Sequence, residues 1–128
     1  MKYNVVGQSV PRIDARAKVT GDAPYPGDFV IDGMLYKKLL FAGRPHARVL
    51  HVDTTAAEAL AGVVAVFTSR DIPVNEYGLQ YPDQPVLCGP GGDKPGTDIV
   101  RFVGDQIAAV VAKTEEIAAR AVELIVVE

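Results

Sequence analysis

The sequence predicts an α+β fold, a mixed sheet packed with two main helices. Three observations predict it. Short apolar, β-branched runs recur between Gly-Asp turns, as at residues 63–68 and 106–112. Two alanine-rich segments each follow a hydroxyl or acidic residue able to cap a helix. The composition is globular, 48% hydrophobic and 23% charged, in a chain of 128 residues, the length of one compact domain with an ordinary core.

Residues 1–29 hold two Gly-Asp pairs and little periodicity, and read as an extended N-terminal arm. Turns are expected at Thr20-Gly21-Asp22 and Pro26-Gly27-Asp28. The arm carries Val5, Val6, Val10, Ile13 and Val19, so it is expected to dock rather than float. Residues 30–128 form the body of the domain. Strands are expected at 34–42 and 48–53; in the second, Val49 and His51 share one face and Leu50 and Val52 the other. A helix follows over 53–62, capped by Asp53 or Thr54 and ended by Gly62 in the left-handed conformation. Residues 63–68 are a buried strand by composition. Residues 72–97, rich in Pro and Gly, make a long loop of the kind that is functional, contact-making or mobile. Strands at 98–103 and 106–112 are followed by a helix capped by Thr114, with Glu115 and Glu116 at the positive end of its dipole. Ile117, Ala121 and Leu124 are expected on its buried face, with Val122 and Ile125 flanking. Residues 125–128 read as a strand that needs a partner or a continuation.

Few residues invite chemistry. Cys88 lacks a neighbouring base or cation to make a thiolate, which leaves a loop thiol; as the sole cysteine it forms no intrachain disulfide, and it suits a reducing cytoplasm. Gly89-Pro90-Gly91-Gly92-Asp93-Lys94 lacks the strand, the Gly-Lys-Ser/Thr ending and the helix of a phosphate loop. Gly104-Asp105 opens a strand, unlike a dinucleotide fingerprint. His46 and His51, with Asp53 beside the latter, supply too few ligands for zinc. Arg44, Arg48, Arg70 and Arg101 are scattered, and Arg48 is the one placed to hold two chain segments. Glu115-Glu116 is explained by helix capping. No catalytic, cofactor-binding or metal residue is assigned. A net charge of −3 disfavours nucleic acid, and no apolar run nears the ~20 residues of a membrane helix or forms a signal peptide.

The motifs do carry a family likeness. Lys18-Val19-Thr20-Gly21 with Ala23, Tyr25 and Asp28 resembles the arm of the xanthine dehydrogenase and aldehyde oxidase large subunits. Pro45-His46-Ala47-Arg48-Val49 with Val52-Asp53-Thr54, and Gly62-Val63-Val64-Ala65-Val66, resemble the next segments of that family. Val100-Arg101-Phe102-Val103-Gly104-Asp105 with Ala108-Ala109-Val110-Val111-Ala112 resembles a further one. The order holds across residues 5–128; Phe41-Ala42-Gly43-Arg44, Gln106, and Pro24 and Pro26 around Tyr25 depart from the pattern. The resemblance implies an α/β hammerhead domain that precedes the molybdopterin-binding regions of a molybdenum hydroxylase. It implies a structural and interaction role, with the molybdenum cofactor and the catalytic glutamate in the parent's other regions. The implied partners are the rest of the large subunit and iron–sulfur and flavin subunits, with self-association of the isolated piece as a further expectation. Two alternatives stay open: a subunit contributing to substrate hydroxylation or hydroxybenzoyl-CoA reduction, and a small-ligand binder using the 72–97 loop.

Overall fold

The computed structural model describes residues 3–128; Met1 and Lys2, the start of the expected arm, lie outside the described residues. The chain forms two compact units, one through Asp32 and one from Gly33 to Glu128.

Where the sequence predicts an extended arm, the first unit is partly helical. Ala15–Thr20 form a helix, α1. Asp14 joins Arg12 at 2.8 Å and Lys18 at 2.6 Å, and these cations hold its carboxyl below the ordinary carboxylate range. Alanine, arginine and lysine favour helix without any apolar stripe, so periodicity gives no warning. Gly21 ends α1 with φ of 81°, and Pro26–Asp28 make a 3-10 turn in which the Asp28 carboxylate accepts the Tyr25 N–H. Both expected turns are therefore present. Val5, Val6, Val10, Ile13 and Val19 are exposed.

The second unit is built on a three-stranded sheet. β1 (Tyr36–Phe41) and β4 (Val63–Phe67) flank β6 (Gln106–Ala112). Two short ribbons accompany it, β2 (Ala47–Arg48) with β5 (Ile99–Val100), and β3 (Val52–Asp53) with β7 (Val126–Val127). Where a mixed sheet is expected, every named ladder is antiparallel. α2 (Thr55–Glu58) and α3 (Glu115–Glu123) pack on one another and on the sheet.

The core follows from register. Tyr36 and Val63 both oppose Ala112, and Lys38 and Val66 both oppose Val110, so these side chains share one face. On that face Ala108, Val110 and Ala112 are fully buried. Ala108 and Val110 form one cluster with Ala57, Ala121 and Ile125, joined by Leu40, Val63 and Val66. Lys38 reaches over it to Glu115 at 2.6 Å. A second cluster gathers Val49, Cys88, Val100 and Ile107.

Several elements are shorter than predicted. The strand expected at 48–53 is broken into β2 and β3, so Val49 is buried while His51 is exposed, and the two do not share an environment. The helix expected at 53–62 is one turn; Asp53 Oδ1 accepts the Thr55 N–H, and Gly62 does take the left-handed conformation at φ of 96°. A side chain at Gly62 would meet Ile117 Cδ1 at 2.6 Å. The strand expected at 98–103 stops at Val100, because the Asp105 carboxylate accepts the Arg101 and Phe102 N–H groups and curls the chain. On α3 the buried side chains are Ala118 and Ala121, with Ile125 beyond its end; Leu124 is 39% exposed, so the buried face is rotated from the one predicted. The strand at the end of the chain has its partner within the fold. β7 pairs with β3, and Glu128 exchanges backbone bonds with Leu50 and His51.

Candidate interaction surface

The residues that invite chemistry are dispersed, and most have structural work. Cys88 sits in the second cluster at 1% exposure; burial first, then the charge of Asp105, pushes its thiol up to about 11. A thiol in this state is a poor nucleophile at neutral pH. Glycines 89, 91 and 92 lie against side chains of their own fold. A Cβ on Gly89 would meet Ser69 Oγ at 2.8 Å, on Gly91 the Arg70 stem at 2.8 Å, and on Gly92 Thr97 Oγ1 at 2.5 Å. The Gly89 N–H donates to Thr97 O, and Ser69 Oγ donates to Pro90 O. This stretch spends its groups on internal packing.

His46 and His51 are exposed, and among the described residues no three His, Cys, Asp or Glu side chains group as metal ligands. Asp53 is occupied by Thr55, whose hydrogen bonds lower its carboxyl below the ordinary range. Arg48 joins two segments as its position suggested, through one bond to Asp98 at 3.0 Å beside the β2–β5 ladder. Arg101 donates to Gly96 O and Ile99 O and so staples the end of the long loop. Arg44 is exposed, and Arg70 lies against Gly91. Glu115 pairs with Lys38, and Glu116 sits in the first turn of α3, where backbone hydrogen bonding and Thr114 lower its carboxyl.

The 72–97 loop is contact-making. Asn75 is its buried centre: its amide donates to Leu87 O at 2.8 Å and accepts the Leu87 N–H at 2.9 Å. Lys94 pairs with Glu76, and Tyr77 bridges to Gln84. Sequence reasoning missed Asn75, since one polar residue between Val74 and Glu76 gives no pattern. An open cleft along residues 78–84 of the loop encloses about 390 Å³, and the others are smaller. One beside Arg70 and Pro90 encloses about 210 Å³, and one beside Arg101 and Phe102 about 230 Å³, both below the ~300–1,000 Å³ of drug-sized ligand pockets.

What the surface does offer is apolar area. Opposite the helices, Leu39, Ala109 and Phe67 form one row of side chains, and Lys37, Val111 and Ala65 the next. α2 and α3 pack on the other face, with Ala108 and Val110, and Phe67 is 40% exposed. The missed signal was β6 itself: after Gln106 it is apolar without alternation, which is the pattern of a strand covered on both faces.

A small antiparallel sheet with helices on one face and a packed Gly-Pro loop defines a class of protein: a small α+β domain. The chain belongs to the aldehyde oxidase and xanthine dehydrogenase a/b hammerhead domain family, whose model matches residues 20–128. It is 51% identical over 118 residues to a probable xanthine dehydrogenase subunit of Bacillus subtilis (strain 168), covering 91% of this chain and 15% of that one. It is 34% identical over 127 residues to the nicotinate dehydrogenase large molybdopterin subunit of Eubacterium barkeri, covering 98% and 28%. Among solved structures, CO dehydrogenase from Oligotropha carboxidovorans superposes with a TM-score of 0.80 at 32% identity, covering 95% of this chain and 15% of that chain. The chain thus spans between 15% and 28% of the length of these relatives. Among the described residues no helix is long and apolar enough to cross a membrane.

Proposed function

We propose that this chain is a non-catalytic packing module of a molybdenum hydroxylase large subunit. The observation that carries the reading is the match of residues 20–128 to the hammerhead domain, over a region that makes up 15% of the Bacillus subtilis relative. In this reading residues 1–29 act as a docking arm and residues 30–128 as the hammerhead body. The exposed Val5, Val6, Val10, Ile13 and Val19 support a docked arm, because such apolar area is normally buried against something. The molybdopterin cofactor and the reacting groups belong to the parent's other regions, and iron–sulfur and flavin subunits are its electron-transfer partners. The setting is the cytoplasm; the single buried thiol, with no disulfide, supports it.

The test mixes this chain with the Bacillus subtilis relative from which the matching segment has been deleted. The expected result is a stable complex and a rise in the melting temperature of this chain, since binding only the folded state stabilises it. No complex and no stability gain sinks the reading. Bound molybdenum with turnover in the isolated chain overturns its non-catalytic part.

A further inference from the structure

We infer that the second face of the β1–β6–β4 sheet is covered by an apolar element of the same large-subunit chain, with Phe67 as the anchor. The inference rests on the proposed function and assigns the surface through which that module packs.

Three observations carry it. Along β6 the helix-side residues Ala108, Val110 and Ala112 are fully buried, while Ala109 and Val111 on the other side are only partly covered. Both sets are equally apolar, so the strand is composed for burial on both sides. Register then places Leu39 and Phe67 on either side of Ala109, and Ala65 beside Val111, with Lys37 as the charged corner. A large side chain flanking small ones leaves a step into which an apolar element fits. Finally, both helices of the unit are spent on the opposite face, where Ala57 and Ala121 share the cluster with Ala108 and Val110.

Size decides which occupant fits. Three strands ~4.8 Å apart and about four residues long present roughly 200 Å². A stable association between separate proteins buries roughly 800 Å² on each partner. A second copy of this chain meeting on this face alone falls far short. An element tethered in the same polypeptide needs much less area, because its effective concentration is roughly millimolar. The relatives carry several times the matched length outside the matched region, which supplies such an element.

The experiment uses the mixture described above, in which the remaining contacts of the module, its arm included, hold the two pieces together in place of the covalent link. Phe67→Glu is expected to leave the melting temperature of the isolated chain within about 2 °C of the original, as for exposed surface substitutions. It is expected to weaken the complex at least tenfold. In parallel, Phe67→Cys and the milder Ala109→Cys report coverage by maleimide labelling, since the sole native thiol, Cys88, is buried. Labelling is expected to be fast in the isolated chain and at least tenfold slower in the complex. If the original chain binds but Phe67→Glu binds equally well and the cysteines stay reactive, the packing role stands and this assignment falls. If the cysteines are protected in the isolated chain as its concentration rises, the occupant is a second copy and the assignment also falls. If the original chain does not bind, the proposed function fails first and takes the assignment with it.

Discussion

Under α3 the core consists of alanine, valine and isoleucine from β6, α2, α3 and residue 125, interchangeable in chemistry and repeated in register. Residues 72–97 are ordered in another way. Asn75 makes two bonds to one residue, Gly92 leaves room for Thr97, and Lys94 meets Glu76. The first region is held by many equivalent contacts and the second by a few that cannot be exchanged. The two regions should therefore fail differently when one residue is removed, and the variants below test that contrast.

Ile125→Ala should give the largest loss. It removes three buried carbons from the helix-side cluster and leaves a cavity between α3, α2 and β6. The expected cost is about 3 kcal/mol in denaturant-induced unfolding. Because the contacts are shared, amide exchange should speed up across Ala108, Val110 and Ala121 together. Acceleration confined to residues near 125 would break the claim that this region acts as one unit.

Asn75→Ala should cost about 2 kcal/mol, because it strands the buried N–H and C=O of Leu87. Its signature should be local: faster exchange at Leu87, Cys88 and Gly89, with the amides of β6 from Ala108 onward unchanged. Uniform acceleration across the sheet would show that loop and sheet form one cooperative unit.

This contrast also explains what could be read from the sequence. β6, α3 and the left-handed Gly62 were legible, because apolar runs, a hydroxyl cap and a glycine at a helix end are local signals; β4 was legible as a strand but not as the buried one expected, since it pairs with β6 alone and leaves Val64 and Phe67 exposed. The interrupted strands at 48–53 and 98–103 were not. Val49 turns inward to meet Val100 and Ile107, and Asp105 captures the Arg101 and Phe102 amides; both depend on residues distant in sequence or on a single side chain. α1 was missed because it buries no residue and so shows no apolar stripe; its visible features are the exposed ion pairs of Asp14 with Arg12 and Lys18. For the candidate site, the burial of Cys88 and the close packing of Gly89, Gly91 and Gly92 against their own fold were not legible in motif context. Asn75 and the second sheet face required the fold, although the unbroken apolar run of β6 pointed toward the latter.

Cys88 lies where the two regions meet: its N–H donates to Gln106 O of β6, and its side chain packs on Ile107. Its thiol is raised from 9.0 to about 11 in the fold, chiefly by burial. Between these values the unfolded chain releases the proton while the folded chain keeps it. The stabilising contribution is therefore complete below pH 9 and is lost as pH rises toward 11. Relative to Cys88→Ala, the original chain should lose on the order of 2 kcal/mol across that window. Urea unfolding of the two proteins as a function of pH is the measurement, and parallel profiles would show that the seam is not dry.

Thr114→Ala should have the smallest effect and sharpens the contrast from the helix side. Thr114 is extended, at φ of −136°, and its hydroxyl accepts the Ile117 N–H at 3.3 Å on an exposed helix end. Water can replace this bond in part, so the loss belongs in the lower half of the usual range for a cap, about 0.5–1 kcal/mol. Thr114→Ser should restore it, since the hydroxyl and not the methyl carries the bond. The melting temperature of the two variants is the measurement. A loss above about 2 kcal/mol in Thr114→Ala would mean that α3 depends on a single end contact as the loop depends on Asn75. A loss near about 0.5 kcal/mol, with exchange accelerated only in the first turn, would place the hold on α3 in Ala118, Ala121 and Ile125 pressed against β6.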